Sequence, residues 1–258
     1  MSTDVLLQKL KEYQPTLIPI YIPSIKKTVN FKPLNIKQQK EVIKSSFDKN
    51  IPGITFGLVL NNIISENSTE SIDYLVIDRP AISLQLRKNI YGNDIIATSD
   101  DEDINTEEKI NLTVDEIFNN ITTVNIPELT AKVNVDIIEV GLSIPTLSVD
   151  SRANKEAQKN LSYLIEQNNG VKDLVSELFL YELVKFVDYI NIGDSKAIFK
   201  DLLVNQQIQI IESLPASVNK QILDFIENTR SFERKYTTIT KNNRNYNLTI
   251  DASFFSNE

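Results

Sequence analysis

Apolar positions along this chain change period several times, and the changes mark its elements. Val5, Leu6 and Leu10 recur at helical spacing and predict a short helix at about 3–12. Pro15, Pro19 and Pro23 then exclude a helix across 15–23, because each removes a backbone donor and clashes with the preceding turn. Leu17-Ile18-Pro19-Ile20-Tyr21-Ile22 reads as an edge strand, Ser24–Lys27 as a turn, and Thr28-Val29-Asn30-Phe31-Lys32 alternates as the return strand. Asn35 followed by Gln38 predicts an N-cap with its capping-box partner, opening a helix that runs to about Phe47. A second helix follows Pro52, using Ile54, Leu58, Leu60 and Ile64.

Residues 72–86 are mostly apolar and predict a helix whose regular part begins near Pro80 and stops at Gly92. Ala97–Lys109 reads as a polar, acidic linker. Two to four strands are expected in 110–148, with Lys132–Ile137 alternating and Val140–Ile144 preceding Pro145. Helices dominate from 152 onward. Val171–Ile190 has apolar residues on most of its circumference and reads as a buried central helix. Shorter helices are expected near 194–203, 206–213 and 217–229. Tyr236–Thr240, an Asn-rich turn at 242–245 and Tyr246–Ile250 form a β-hairpin signal. The fold class is therefore α+β: a helical majority, N-terminal and C-terminal β-hairpins, and a small antiparallel β region in the middle. The organisation expected is 1–96, an acidic linker at 97–109, and 110–258, with a shared core between the two halves left open.

Composition then removes chemistry. The 258 residues include no Cys, no His and no Trp. Disulfides, thiolate or imidazole metal sites and any histidine-dependent catalysis are excluded. An enzyme of this composition would have to rely on carboxylates, Lys, Ser or Tyr. Six glycines supply no G-x-G-x-x-G, Walker sequence or G-x-S-x-G. The acidic run Asp100-Asp101-Glu102-Asp103 fails as a calcium loop, since Thr106 falls where glycine must turn and Leu112 where the bidentate Glu belongs. Asp115/Glu116 and Asp173/Glu177 could be offered as acid–base pairs, but sequence alone brings no two carboxylates into one cleft. Arg87 reads as an end-of-helix cation. No catalytic residue, cofactor or metal ligand is assigned.

The net charge of −8 is segregated. Residues 1–50 carry nine Lys/Arg against four Asp/Glu, and residues 66–150 carry five against 17. An acidic whole argues against nucleic-acid binding. The N-terminal lysines either solvate a face or steer an acidic partner. No segment supplies the roughly 20 apolar residues of a membrane span, and Met1–Leu10 lacks the basic start of a secretory signal, so a soluble protein is expected. Lys26, Lys27 and Lys32 are candidate partner contacts. So are Phe254 and Phe255, which read either as a core plug or as an exposed anchor.

Four segments, in order, resemble the baseplate hub family of T-even-type bacteriophages. They are Ile22–Leu34 running into Lys37-Gln38-Gln39-Lys40-Glu41; Ile77-Asp78 through Leu84-Gln85-Leu86-Arg87 to Tyr91-Gly92; Gly141-Leu142-Ser143-Ile144-Pro145-Thr146; and Ile211-Glu212-Ser213-Leu214-Pro215 with the following helix, hairpin and Phe254-Phe255. One departure is that the family's first hairpin usually holds glycine where this chain has Ile25 or Lys26. The resemblance implies a structural subunit of the contractile-tail baseplate, made in the host cytoplasm and assembled into the virion around the central hub. Its implied partners are other baseplate hub and tail proteins, within an oligomer of the baseplate. It implies no catalytic residues. Two other roles stand beside it: a non-virion chaperone of hub assembly, and a carboxylate-based, tail-associated hydrolase.

Overall fold

The computed structural model describes residues 3–13, 15–46, 52–99, 109–121, 126–165, 170–241, 244–248, 250 and 253–255. It opens with helix α1 (Thr3–Glu12), then strands β1 (Ile18–Ile22) and β2 (Lys27–Phe31), paired antiparallel from Ile18↔Phe31 to Ile22↔Lys27. Alternation puts Ile18, Ile20, Ile22, Val29 and Phe31 in the core. Helix α2 (Ile36–Ser46) starts from the predicted capping box: the Gln38 backbone N–H donates to Asn35 Oδ1 at 3.0 Å, and the Asn35 N–H donates to Gln38 Oε1 at 3.2 Å. Helix α3 (Pro52–Asn67) pairs back onto it through a buried amide exchange, Gln38 Nε2 to Asn67 Oδ1 at 2.9 Å and Asn67 Nδ2 to Gln38 Oε1 at 3.2 Å.

A 3-10 turn at Val76–Asp78 leads into α4 (Arg79–Tyr91), so the regular helix begins beside Pro80 as expected. Gly92 ends it at φ 84°, a conformation that favours glycine. Strands β3 (Asp94–Ser99) and β4 (Lys109–Thr113) and helix α5 (Val114–Ile121) follow. Ala97–Ser99 and Lys109, read from sequence as linker, are therefore strand; Ala97 is buried and sits opposite Ile110. The acidic run at 100–108 lies outside the described residues.

Strands β5 (Thr130–Val135) and β6 (Ile138–Ser143) precede helices α6 (Leu147–Ile165) and α7 (Gly170–Lys185). The expected central helix over 171–190 is corrected here. It breaks after Lys185, and β7 (Val187–Ile192) and β8 (Ser195–Ile198) form a hairpin about Gly193 at φ 56°. The continuous apolar run joined two half-buried faces of different period. Val187 and Ile190 point inward from the strand, while Val175 and Phe179 of α7 are exposed. The helix expected near 194–203 is likewise strand followed by a 3-10 turn at Phe199–Asp201. Helices α8 (Val204–Glu212) and α9 (Ala216–Arg234) lead to the terminal hairpin, β9 (Thr238–Lys241) and β10 (Arg244–Asn247).

Strand order is β4-β3-β10-β9 in one four-stranded sheet and β5-β6-β7-β8 in the other. Two apolar cores result. The first gathers β1, β2, α2 to α5 and the sheet that β10 joins to β3; the second gathers β5 to β7 with α6, α7, α8 and the first half of α9. Helix α9 serves both, with Val218, Ile222 and Ile226 in the second core and Phe232 in the first. The architecture is α+β with a helical majority.

Candidate functional site

The polar interior consists of two clasps and one charged seam. In the first clasp, Asp78 is fully buried and receives three donors. The Ser24 backbone N–H lies 3.0 Å from Oδ1, and Ser24 Oγ and the Leu75 N–H lie 2.6 and 3.1 Å from Oδ2. Burial raises its pKa above the ordinary carboxylate value, although those hydrogen bonds oppose the rise. Asp78 thus fastens the first hairpin's turn to the start of α4. Next to it, the Val76 N–H donates to the Pro145 carbonyl at 2.9 Å and the Leu147 N–H to the Tyr74 carbonyl at 2.8 Å.

The second clasp holds the C-terminus. Arg87 Nε donates to the Phe254 carbonyl at 2.9 Å, Nη1 donates to the Asp94 carbonyl at 3.0 Å, and the guanidinium lies 5.1 Å from the Phe254 ring centroid. Tyr91 Oη donates to the Phe255 carbonyl at 2.5 Å. Phe254 and Phe255 are themselves buried. Of the two readings for this pair, the structure gives the core plug, and Arg87 is the group that seats it.

The seam lies between the cores. Arg79 Nη2 meets Asp150 Oδ2 at 2.8 Å, and Lys185 Nζ bridges Asp150 Oδ1 at 2.9 Å and Glu182 Oε2 at 2.7 Å. Arg230 reaches Glu182 Oε1 at 3.3 Å, and Asn61 Nδ2 donates to Asp150 Oδ2 at 2.9 Å. Burial works to raise the Asp150 and Glu182 carboxyls, but the adjacent cations bring both below their ordinary values. Glu233 faces the same cavity of about 230 Å3, and its carboxyl has no ion-pair or hydrogen-bond partner among the described residues. Burial, reinforced by Glu182 and Asp150 against the pull of Arg79 and Arg230, pushes it up to about 7. A raised carboxyl beside lowered ones is the pattern of an acid–base pair. Here, however, both lowered carboxylates are taken up by Lys and Arg. Among the described residues no group of acids stands placed to hold a metal ion.

Two sequence segments thereby acquire reasons. At Gly141 a Cβ would fall 2.2 Å from Tyr189 Cε1, so only glycine lets that ring lie across β6, its hydroxyl 2.9 Å from Glu139 Oε1. Lys26 takes φ 51° in the first hairpin turn, the conformation that glycine would adopt without strain.

The sequence profile of a family described as T4 bacteriophage base plate protein matches residues 15–256. The chain belongs to this family. No curated protein and no solved structure matches it significantly. Membership carries a structural role in the phage baseplate, with other baseplate and tail proteins as its surroundings. The match begins after α1, whose Val5 and Leu6 are exposed. Among the described residues no helix is long and apolar enough to cross a membrane.

On this baseplate-family chain the predicted lysines are exposed but unequal. Lys27 is held by Glu70 at 2.6 Å, while Lys26 and Lys32 have no ion pair among the described residues. Lys37, Lys40 and Lys44 extend the basic surface along the outer side of α2. Sequence reasoning missed Asp78, Arg79, Asp150, Glu182, Lys185 and Glu233. The available signal was a charge interrupting an apolar run, as at Ile77-Asp78-Arg79 and Val184-Lys185-Phe186.

Proposed function

We propose that this chain is a structural subunit of the central hub in a contractile-tail baseplate, incorporated in the virion and acting through assembly contacts. The family match over 15–256 is the observation that carries the reading. It is supported by where the resembling segments lie: the first hairpin is clasped to Asp78, the Leu86-Arg87 segment to Phe254-Phe255, and the Pro145-Thr146 strand end to residues 74–76. Those residues hold a shape and leave surfaces to meet neighbours. The lysines of the first hairpin and α2 offer one such surface, suited to an acidic face. Mass spectrometry and density mapping of purified virions test the proposal. The chain is expected at baseplate stoichiometry and next to the hub. Its absence from virions, with co-purification of hub components from infected cells, would replace this reading with the assembly chaperone.

A hydrolase reading is favoured by one observation, the desolvated Glu233 beside ionised Asp150 and Glu182. We rank it lower because both ionised groups are neutralised by direct cation contacts. Clearing of peptidoglycan by the purified chain, abolished by Glu233→Gln, would reverse that ranking.

A further inference from the structure

The cores meet across charges, and the present pairing leaves one carboxyl over. Arg79 is committed to Asp150, Arg230 to Glu182, and Lys185 to both carboxylates. The linked line from Arg79 to Arg230 therefore runs from α4 of the first core through α6 to α7 of the second, and on to α9, which serves both. Glu233, in the last turn of α9, stands against this line without a partner of its own among the described residues. Facing it are Arg79 of α4, Asp150 of α6, Glu182 and Lys185 of α7, and Arg230 and Arg234 of α9 itself; α3 lines the space with no charged side chain, only Gly53, Ile54, Phe56, Gly57 and Leu60. One donor is also spare, since Arg79 Nε is buried with no acceptor.

We infer that Glu233 is a proton-controlled competitor for the arginines of the seam, so that its ionisation re-partners Arg79 or Arg230 and loosens the contact between the two cores. As an acid, Glu233 needs no cation, and the pairing observed here stands. Ionised, it is a third carboxylate beside two others in a partly desolvated cavity. Each guanidinium facing it is already paired, Arg79 with Asp150, Arg230 with Glu182 and Arg234 with Glu227, so Glu233 gains a cation by drawing on one of those pairs. Arg79 is the readier donor, because its Nε can serve Glu233 as its Nη2 leaves Asp150. Burial retains the Glu233 proton up to about 7, against 4.5 for the free group, so the exchange falls near neutral pH. A folded-state pKa raised in this way contributes stability that is complete below the free value and is lost as pH rises through about 7.

The test is a carbon-13 NMR titration of the Glu233 carboxyl in the full chain, with hydrogen-exchange protection measured below and above neutrality for wild type and Glu233→Gln. The expected result is a carboxyl midpoint near 7. Protection at the end of α9 and the start of α4 should fall about tenfold on alkalinisation, the change equivalent to one pKa unit of linkage. The Gln variant should show no such fall. A carboxyl that titrates near 4.5, or a variant with the wild-type pH profile, would overturn the inference. The titration reads the unmodified protein, so it decides even where the variant does not fold.

Discussion

Asp78 and Asp150 are both buried acids, at 0% and 5% exposure, yet the protein handles them in opposite ways. Asp78 has three hydrogen-bond donors and no cation in contact; desolvation prevails and its pKa rises. Asp150 has two cations in contact, and its pKa falls in spite of similar burial. The first arrangement closes one core on itself and is nearly complete in its hydrogen bonds. The second joins two cores and leaves Arg79 Nε buried without an acceptor and the half-buried Glu233 carboxyl without a side-chain partner among the described residues. Neutral donors fix a position, whereas ion pairs at a seam can exchange partners without unfolding either core.

The largest effect is expected at Asp150. Asp150→Asn leaves the buried Lys185 ammonium and the half-buried Arg79 guanidinium without their shared counter-charge, and breaking a buried pair costs about 3–5 kcal/mol. Urea unfolding at neutral pH measures it. Because its folded pKa is depressed, wild-type Asp150 contributes stability above the ordinary value of 3.8 that is lost as pH falls through the folded value. The variant should lose that acid limb. A change below about 1 kcal/mol, the scale of an exposed pair, would mean that the seam behaves like a surface.

Asp78→Asn comes next. The amide retains one acceptor oxygen but turns an NH2 group toward a backbone N–H, and an unsatisfied buried donor costs about 1–3 kcal/mol. The pH dependence should run opposite to that of Asp150. A raised folded pKa gives stability below 3.8 that is lost as pH climbs through the folded value. Stability curves of the two variants from acid to neutral pH should therefore differ from wild type with opposite slopes. Parallel slopes would dissolve the contrast between the two acids.

Arg87→Lys probes the second clasp with a smaller expected loss, about 1–2 kcal/mol, since a lysine has no planar fork for two carbonyls and no flat face for the Phe254 ring. Protease cleavage near residues 250–255 should accelerate in the variant. This clasp also marks how far the sequence could be read. The capping box at Asn35 and Gln38 was legible because its partners are three residues apart. Ser24 and Asp78 meet across 54 residues, Arg79 and Asp150 across 71, and Arg87 and Phe254 across 167. No local period encodes such pairings, so Arg87 read as a helix-end cation and the seam was not seen. The missed hairpin at Val187–Ile198 has a different cause: its apolar residues abut those of α7, and a run without a gap conceals the change of period.

The smallest effect belongs to Lys27, and it bears on the same contrast. Its pair with Glu70 is short at 2.6 Å, but the two side chains are 55% and 39% exposed, so water and salt screen what the geometry offers. Lys27→Ala should change stability by less than about 1 kcal/mol, with no difference between low and high salt beyond a few tenths. Distance alone thus ranks Lys27–Glu70 with Arg79–Asp150 at 2.8 Å, while burial separates them by several-fold in energy. A loss at Lys27 comparable to that at Asp150 would show that the hairpin, too, is held by charge. The lysines would then be part of the fold and unavailable as a surface for a neighbouring baseplate subunit.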